Sequence, residues 1–181
     1  DYKTHITRLK TEFAGRIKVF LGLEYDMYSD VDMSGYDYLI GSVHYLRTSH
    51  GIAAFDRQIP EIRAMIDEHY AGDGLAFVRD YYAHLARLPE YGNFDIIGHF
   101  DLCDKHGTKA GFFDTESREY REAAIGAAEA LAGKIPYFEV NTGCIPRGYR
   151  QFPYPAPFLL RELRRLGFGA VITSDCHNAA Y

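Results

Sequence analysis

Short apolar runs of strand length alternate along the chain with amphipathic segments of helical spacing. The runs are bounded by glycine, proline or charged residues, as buried strands usually are, and they cover residues 17–23, 38–43, 95–98, 136–140 and 169–173. The segments between them place apolar residues three and four positions apart, which predicts helices over residues 2–13, 60–70, 73–88, 115–132 and 157–166. Asp73 and Thr115 are candidate N-caps, and residues 44–58 and 142–155 are predicted loops.

The alternation of strands and helices predicts an α/β protein with a parallel sheet and βα connections. The pattern contains five strands, whereas a closed α/β barrel needs about seven or eight. We therefore expect either an open sheet or a barrel that is incomplete in this chain. The length of 181 residues fits a single domain.

Composition narrows the class of protein. The formal net charge of −5 argues against a nucleic-acid-binding surface, because such proteins usually carry a basic face. Three cysteines without C-x-x-C spacing indicate free thiols rather than disulfides or structural zinc. No apolar run approaches the roughly 20 residues of a membrane span, and no secretory signal is visible; we expect a cytoplasmic protein with no membrane partner. The first residue is Asp1 rather than Met, as in a trimmed piece of a longer protein.

Metal-capable side chains follow four of the apolar runs, and they are Glu24, His44, His99, Asp175 and His177. Parallel strands of α/β barrels deliver active-site groups at their C-terminal ends, and carboxylates with imidazoles suit divalent-metal hydrolysis. Taken singly, Glu24 fits a solvated charge at a strand end, and His44 fits a metal ligand and a hydrogen-bonded core histidine equally well. Asp175 and His177 would face the same way in an extended chain, so this pair favours a functional site.

The loop after the fourth run offers further polar groups at the same face, namely Asn141, Arg147 and Arg150. Guanidinium groups bind phosphate through paired hydrogen bonds and stay charged at any working pH. Each arginine taken alone is best explained by solvent exposure, but their shared position at the active face favours phosphate binding by at least one. Asp101, two residues after His99, is either a carboxylate that orients a ligand or an ordinary loop acid.

Several sequence elements resemble the PHP (polymerase and histidinol phosphatase) superfamily, and they are Gly22-Leu23-Glu24, Gly41-Ser42-Val43-His44, Ile97-Gly98-His99-Phe100-Asp101, Glu139-Val140-Asn141-Thr142 and Ser174-Asp175-Cys176-His177. Their order and spacing are most similar to those of its bacterial histidinol-phosphate phosphatases. The resemblance implies a distorted (β/α)7 TIM-like barrel that holds up to three divalent metal ions. Zinc, manganese or iron would suit such ligands.

The resemblance also implies a role for each residue. Glu24 bridges two ions, and His44 and His99 complete the shell of the second. Asp175 binds the first ion and His177 the third, while the segment with Asn141, Arg147 and Arg150 receives substrate phosphate. Family members begin with an H-x-H pair that has no counterpart before Glu24. The resemblance therefore predicts one PHP-like domain over residues 1–181 without its first two β/α units and its C-terminal end.

The resulting hypothesis is metal-dependent hydrolysis of a small phosphomonoester, most like histidinol phosphate in histidine biosynthesis. Metal-bound hydroxide attacks phosphorus, with Glu24, His44 and Asp175 as catalytic residues. The alternatives are an amidohydrolase-type C–N hydrolase, a phosphoesterase acting on nucleic-acid ends and a non-catalytic remnant. The remnant is an alternative because the H-x-H pair is missing, which would leave the isolated chain inactive. The sequence carries no information on oligomeric state.

Overall fold

The computed structural model describes residues 1–178 and is built on a parallel β-sheet. Its strands in chain order are β1 (Gly22–Asp26), β2 (Tyr38–Ser42), β3 (Tyr45–Thr48), β4 (Gly51–Ala54), β5 (Ile96–Ile97), β6 (Tyr137–Asn141) and β7 (Gly169–Thr173). Five of them form one sheet in the order β1-β2-β5-β6-β7, and every neighbouring pair is parallel. The α/β class and the parallel sheet predicted from the alternating pattern are confirmed.

Helices occupy most of the connections, and they are α1 (Tyr2–Glu12), α2 (Ile59–Tyr70), α3 (Gly74–Leu85), α4 (Gly107–Ala110), α5 (Arg118–Leu131) and α6 (Pro157–Arg165). The carboxylate of Asp73 accepts two backbone N–H bonds from the first turn of α3, as an N-cap does. The predicted cap of α5 at Thr115 is wrong. α5 begins after Ser117, because the hydroxyl of Ser117 accepts the N–H of Tyr120.

Aromatic side chains form the centre of the core between α3 and α5. Tyr81, Tyr82 and Tyr120 are at most 1% exposed, and the hydroxyl of Tyr82 donates to that of Tyr120 at 3.1 Å. Ala124 and Ala128 of α5 are fully buried, and such small side chains allow a second helix to approach closely. These three tyrosines therefore supply buried area while their hydroxyls still find partners.

Two strand predictions differ from the structure. The first strand runs over residues 22–26 rather than 17–23, because its partner β2 begins at Tyr38, directly opposite Gly22. Phe20 lies before this pairing and is 51% exposed. Residues 45–54, predicted as loop, form the antiparallel hairpin of β3 and β4. Because β1 begins and ends later than predicted, Glu24 lies within this strand rather than after it.

β1 and β7 are the outer strands, and among residues 1–178 neither pairs with another strand on its outer side. The described part of the chain therefore forms an open sheet. No helix within this same range is long and apolar enough to cross a bilayer. All five strands of the sheet run in the same direction, so their carboxyl ends lie along one edge, which carries the candidate site.

Candidate metal centre

Three predicted metal ligands converge at the carboxyl edge of the sheet. Glu24 lies in β1, His44 follows β2 and His99 follows β5, and these strands are neighbours in the sheet. His99 Nε2 lies 3.0 Å from Glu24 Oε1 and 3.1 Å from His44 Nε2. His44 Nε2 lies 3.4 Å from Glu24 Oε1. Parallel pairing has thus brought together side chains that are as far as 75 positions apart in the sequence.

Ser42 and Gly98 make this close packing possible. Ser42 is fully buried and its hydroxyl donates to Glu24 Oε1 at 2.8 Å, which turns the carboxylate toward the histidines. Gly98 lies directly against this serine, and a Cβ at position 98 would lie 2.4 Å from Ser42 Oγ. Any side chain there would therefore push the serine off Glu24, which accounts for a glycine directly before His99.

Asp26 orients His44. Its Oδ2 atom accepts the backbone N–H of His44 at 2.8 Å and lies 3.4 Å from the ring Nδ1 of the same residue. Because Nδ1 faces this carboxylate, Nε2 is left facing Glu24 and His99. Carboxylates that hold the outer nitrogen of a histidine in this way fix the tautomer and ring orientation of metal ligands.

A second carboxylate, Glu139 of β6, holds the backbone of His99. Glu139 is 5% exposed, and its Oε2 accepts the N–H of His99 at 2.8 Å. Its Oε1 accepts the hydroxyl of Thr173 in β7 at 2.7 Å. Hydrogen bonds therefore run across the sheet from Glu24 in β1 to Thr173 in β7 and tie the strands that carry the site to one another.

When no cation is bound, Glu24 and His99 shift each other's pKa in opposite directions. Burial alone would raise the pKa of Glu24, but the hydrogen bond and charge of His99, together with His44, lower it to about 2. Burial alone would lower the pKa of His99, but the hydrogen bond and charge of Glu24, together with Glu139, raise it to about 9. At neutral pH the Glu24 carboxylate is ionised and the His99 imidazole is in its positively charged form. A metal ion that binds Nε2 of His99 must therefore displace a proton.

The spacing of the three ligand atoms fits a divalent cation. Within residues 1–178, Glu24, His44 and His99 form the group of potential ligands whose donor atoms all lie within 4.8 Å of one another. A cation about 2.1 Å from its donors separates them by about 3.0 Å at right angles and by about 3.4 Å at the tetrahedral angle. The observed separations of 3.0, 3.1 and 3.4 Å cover this range. One carboxylate and two imidazoles suit zinc, manganese or iron.

The cluster opens onto a cleft of about 350 Å³ that is also lined by Asp175, His177 and Arg147. All five predicted metal ligands and one predicted phosphate ligand therefore share one cleft. His177 Nε2 lies 3.0 Å from Asp175 Oδ1, and both residues lie outside the tight group of three. The separate backbone segments do converge, while the metal-binding roles of Asp175 and His177 stay predictions.

The backbone at Asp175 is not extended as the sequence suggested. Its φ of 43° lies in the left-handed region, which residues other than glycine seldom adopt. Arg147 holds this segment, because its Nη1 lies 3.4 Å from Asp175 Oδ2 and its Nη2 donates to the carbonyl of Asp175. Arg147 thus positions Asp175 while its partly exposed side chain lines the cleft.

Asn141 and Arg150, the other two predicted substrate ligands, are buried and do not line the cleft. The side chain of Asn141 donates to Glu139 and accepts the N–H of Gly143. The guanidinium of Arg150 pairs with Asp101 Oδ2 at 3.0 Å, so Asp101 holds an arginine rather than a metal-binding histidine. Asn141 thus ties β6 to the loop that follows it, and Arg150 ties that loop to the segment after β5. These contacts do not support contact of either residue with substrate phosphate in the cleft.

Three residues of the site were missed from the sequence: Asp26, Asp56 and Lys105. Lys105 Nζ lies 2.6 Å from Asp56 Oδ1, and both residues line the cleft. The spacing of Glu24 and Asp26 could have revealed Asp26, because side chains two apart in a strand share one face. No local signal separates Lys105 or Asp56 from an ordinary surface charge, since their place in the cleft depends on loop packing.

The profile of the PHP domain matches residues 1–143 of this sequence. The chain belongs to the PHP domain family. A Deinococcus radiodurans protein named "Probable histidinol-phosphatase" is 35% identical over 188 residues, which cover 98% of this PHP chain and 64% of that protein. The histidinol-phosphatase of Lactococcus lactis is 24% identical over 152 residues, covering 78% of this chain and 52% of that protein. The chain therefore spans less than two thirds of the length of these relatives.

Two solved structures share the fold of this PHP chain. A Listeria monocytogenes protein described as a "putative histidinol phosphatase" superposes with a TM-score of 0.81 at 18% identity, covering 96% of this chain and 69% of that one. Histidinol phosphate phosphatase from Lactococcus lactis, complexed with zinc, L-histidinol and phosphate, gives 0.64 at 22% identity, covering 96% and 65%. At these identities the likeness establishes the fold alone, in agreement with the fold class that the resemblance implied.

Proposed function

We propose that this PHP domain carries the metal centre of a phosphomonoester hydrolase that acts on histidinol phosphate. The observation that carries the proposal is the triangle of Glu24, His44 and His99, whose donor atoms have the spacing of a divalent-metal site. Support comes from the cleft beside it, where Lys105 and Arg147 offer positive charge to an anionic substrate.

Each side chain has a separate task in this proposal. Glu24, His44 and His99 hold one ion, and Asp175 and His177 contribute to the binding of further ions. Divalent ions, when bound, lower the pKa of water to about 7 and neutralise charge on phosphoryl oxygens.

Three charged residues around these ligands orient a ligand or can contact the substrate. Asp26 keeps Nε2 of His44 free of its proton and aimed at the ion, because it faces Nδ1 of the same ring. Lys105 is a cation of the cleft wall that can meet a phosphate, and its ammonium group is paired with Asp56 at 2.6 Å. Arg147 is already tied to Asp175 and keeps that carboxylate in place.

The proposed substrate follows from the relatives. The Deinococcus and Lactococcus proteins are named as histidinol-phosphatases, and the Lactococcus structure is complexed with L-histidinol and phosphate. A small phosphate ester suits a cleft of about 350 Å³. A role in histidine biosynthesis, a cytoplasmic location and the absence of a nucleic-acid partner stay predictions from the sequence.

The test compares the protein at its full encoded length with its Glu24→Gln variant. Both are assayed for bound metal by plasma mass spectrometry and for phosphate release from L-histidinol phosphate and p-nitrophenyl phosphate. Amide, lactone and DNA-end substrates run in parallel and examine the alternative hydrolases. Glu68→Gln, which makes the same change on an exposed position of α2, is the matched control.

We expect Glu24→Gln to lose most bound metal and to lower phosphate release to background, while Glu68→Gln behaves as the parent protein. Glu24→Gln with normal metal content and normal phosphatase rate would refute the proposal. Hydrolysis of an amide or lactone in preference to phosphate esters would favour the C–N hydrolase. A protein without bound metal and without any hydrolytic activity would be the non-catalytic remnant.

A further inference from the structure

A second recess, larger than the metal cleft, lies beside it. Its volume is about 860 Å³, a size typical of sites for small organic ligands. Lys105 and Tyr149 line both the recess and the cleft, so these two side chains form the wall between them. The ammonium group of Lys105 lies 4.7 Å from the centre of the Tyr149 ring, and this cation–π contact stabilises the relative position of the two side chains.

The recess combines cationic and apolar walls. Lys105, Lys109 and Arg150 contribute positive charge, and the exposed side chains of Ile145 and Phe152 contribute apolar surface. Ile145 is 43% exposed and Phe152 is 39% exposed. Large apolar side chains left open to solvent beside fixed charges are a frequent feature of ligand sites.

The acidic side chains in the recess are already neutralised by partners. The carboxylate of Asp104 accepts the N–H and the hydroxyl of Thr108 at 3.0 and 2.8 Å, and its other oxygen lies 3.6 Å from Arg150 Nη2. Glu116 pairs with Arg121. Two of the cations are paired as well, Arg150 with Asp101 and Lys105 with Asp56. Lys109 has no ion pair among residues 1–178, so its charge is the one most open to a ligand in the recess.

Arg150 adds a more specific signal. The residue is 9% exposed and lines the recess. Its Nε and Nη1 atoms are buried without a hydrogen-bond acceptor in the described part of the chain. Nη2 of the same guanidinium pairs with Asp101, so the charge has a partner while two donors do not. Buried donors without an acceptor are costly, and an anion in the recess can supply the missing acceptor.

We propose that the recess binds a small organic anion with an aromatic or otherwise apolar body. This ligand is distinct from the phosphate ester in the metal cleft. L-histidinol, the alcohol bound to the Lactococcus relative, carries an amine that is positively charged at neutral pH, and the ammonium group of Lys109 in the recess repels such a group.

The test uses a pair of fluorescent probes that differ by one charge. 8-Anilinonaphthalene-1-sulfonate is an aromatic anion, and N-phenyl-1-naphthylamine has the same rings without the sulfonate. Both are titrated into the full-length protein, into Lys109→Gln and into Lys134→Gln. Lys134 is an exposed lysine in the turn before β6 and does not line the recess, so its variant controls for loss of net charge.

We expect Lys109→Gln to weaken binding of the sulfonate probe about five- to tenfold, the effect of losing one charge-assisted contact. Binding of the neutral probe stays unchanged in this variant, and Lys134→Gln affects neither probe. Ile145→Ser weakens both probes, because it removes apolar wall. Circular dichroism of each variant checks that the fold is intact.

Equal behaviour of Lys109→Gln and Lys134→Gln would overturn the proposal, and so would equal affinity of the two probes for the parent protein. Removal of metal with a chelator separates the recess from the cleft. Binding at the recess survives chelation, whereas a sulfonate bound to metal ions is released by it. The titration needs no phosphatase activity, so its outcome is independent of the function proposed for the metal centre.

Discussion

Substitution of Asp26 by asparagine removes the charge that orients His44 while keeping the shape of the side chain. The carboxylate side chain is 14% exposed and serves two backbone groups, since Oδ1 accepts the N–H of Tyr28 and Oδ2 that of His44, each at 2.8 Å. Asparagine keeps one oxygen and replaces the other with an NH₂ donor. If the donor faces His44, it opposes both the backbone N–H and a protonated Nδ1.

The expected effect of Asp26→Asn is a loss of metal affinity with the fold retained. Removal of a carboxylate that supports a metal-binding histidine lowers metal affinity about 10- to 100-fold. This corresponds to about 1.4 to 2.7 kcal/mol of binding free energy. Competition with a chromophoric chelator measures zinc and manganese affinity directly. Urea denaturation of the metal-free protein separates the change in the free energy of unfolding from the change in metal binding.

Asp30→Asn is the matched control, because Asp30 is exposed and lies four positions further along the chain. It should leave metal affinity within twofold of the parent protein. If Asp26→Asn also stays within twofold while remaining folded, then Asp26 does not orient His44 for a metal. The proposed role of Asp26 in supporting the metal site would then be wrong.

Three further predictions test the site from other directions. Gly98→Ala should lower metal affinity at least about tenfold in the chelator assay, because its Cβ would lie 2.4 Å from Ser42 Oγ; unchanged affinity would contradict this packing. Glu139→Gln should lower the free energy of unfolding in urea by about 1–3 kcal/mol, since a buried hydrogen-bonded carboxylate is replaced, and an unchanged midpoint would count against it. The pKa of His99 is raised to about 9, so a proton occupies this ligand at pH 7 and metal affinity should rise about tenfold per pH unit up to about pH 9; a calorimetric titration without proton release at pH 7 would exclude this.

Much of the fold could be predicted because its signals are local. Helical spacing and the cap at Asp73 mark α3 without any tertiary information. The start of β1 could not be predicted from its own apolar run, because pairing with Tyr38 of β2 decides where the strand begins. The hairpin over residues 45–54 consists of two four-residue strands, which are too short to give a reliable period-two pattern.

The candidate site also contains residues that could be predicted from the sequence and residues that could not. Glu24, His44 and His99 were predicted because parallel strands carry the residues of their C-terminal halves toward one edge of the sheet, and this holds although Glu24 lies within β1 rather than after it. The burial of Arg150 against Asp101 was not predicted, since two charges that are 49 positions apart give no local sign of an ion pair. For the same reason Lys105 was overlooked, although it lines the cleft where Arg150 was expected.

The central claim is that Glu24, His44 and His99 hold a divalent cation. The most direct measurement is anomalous diffraction from crystals of the protein grown with saturating manganese or zinc, recorded at the absorption edge of the metal. We predict an anomalous peak about 2.0–2.3 Å from Glu24 Oε1, His44 Nε2 and His99 Nε2. An ordered ion elsewhere with this triangle empty, or no ordered ion at saturating metal, would contradict the account.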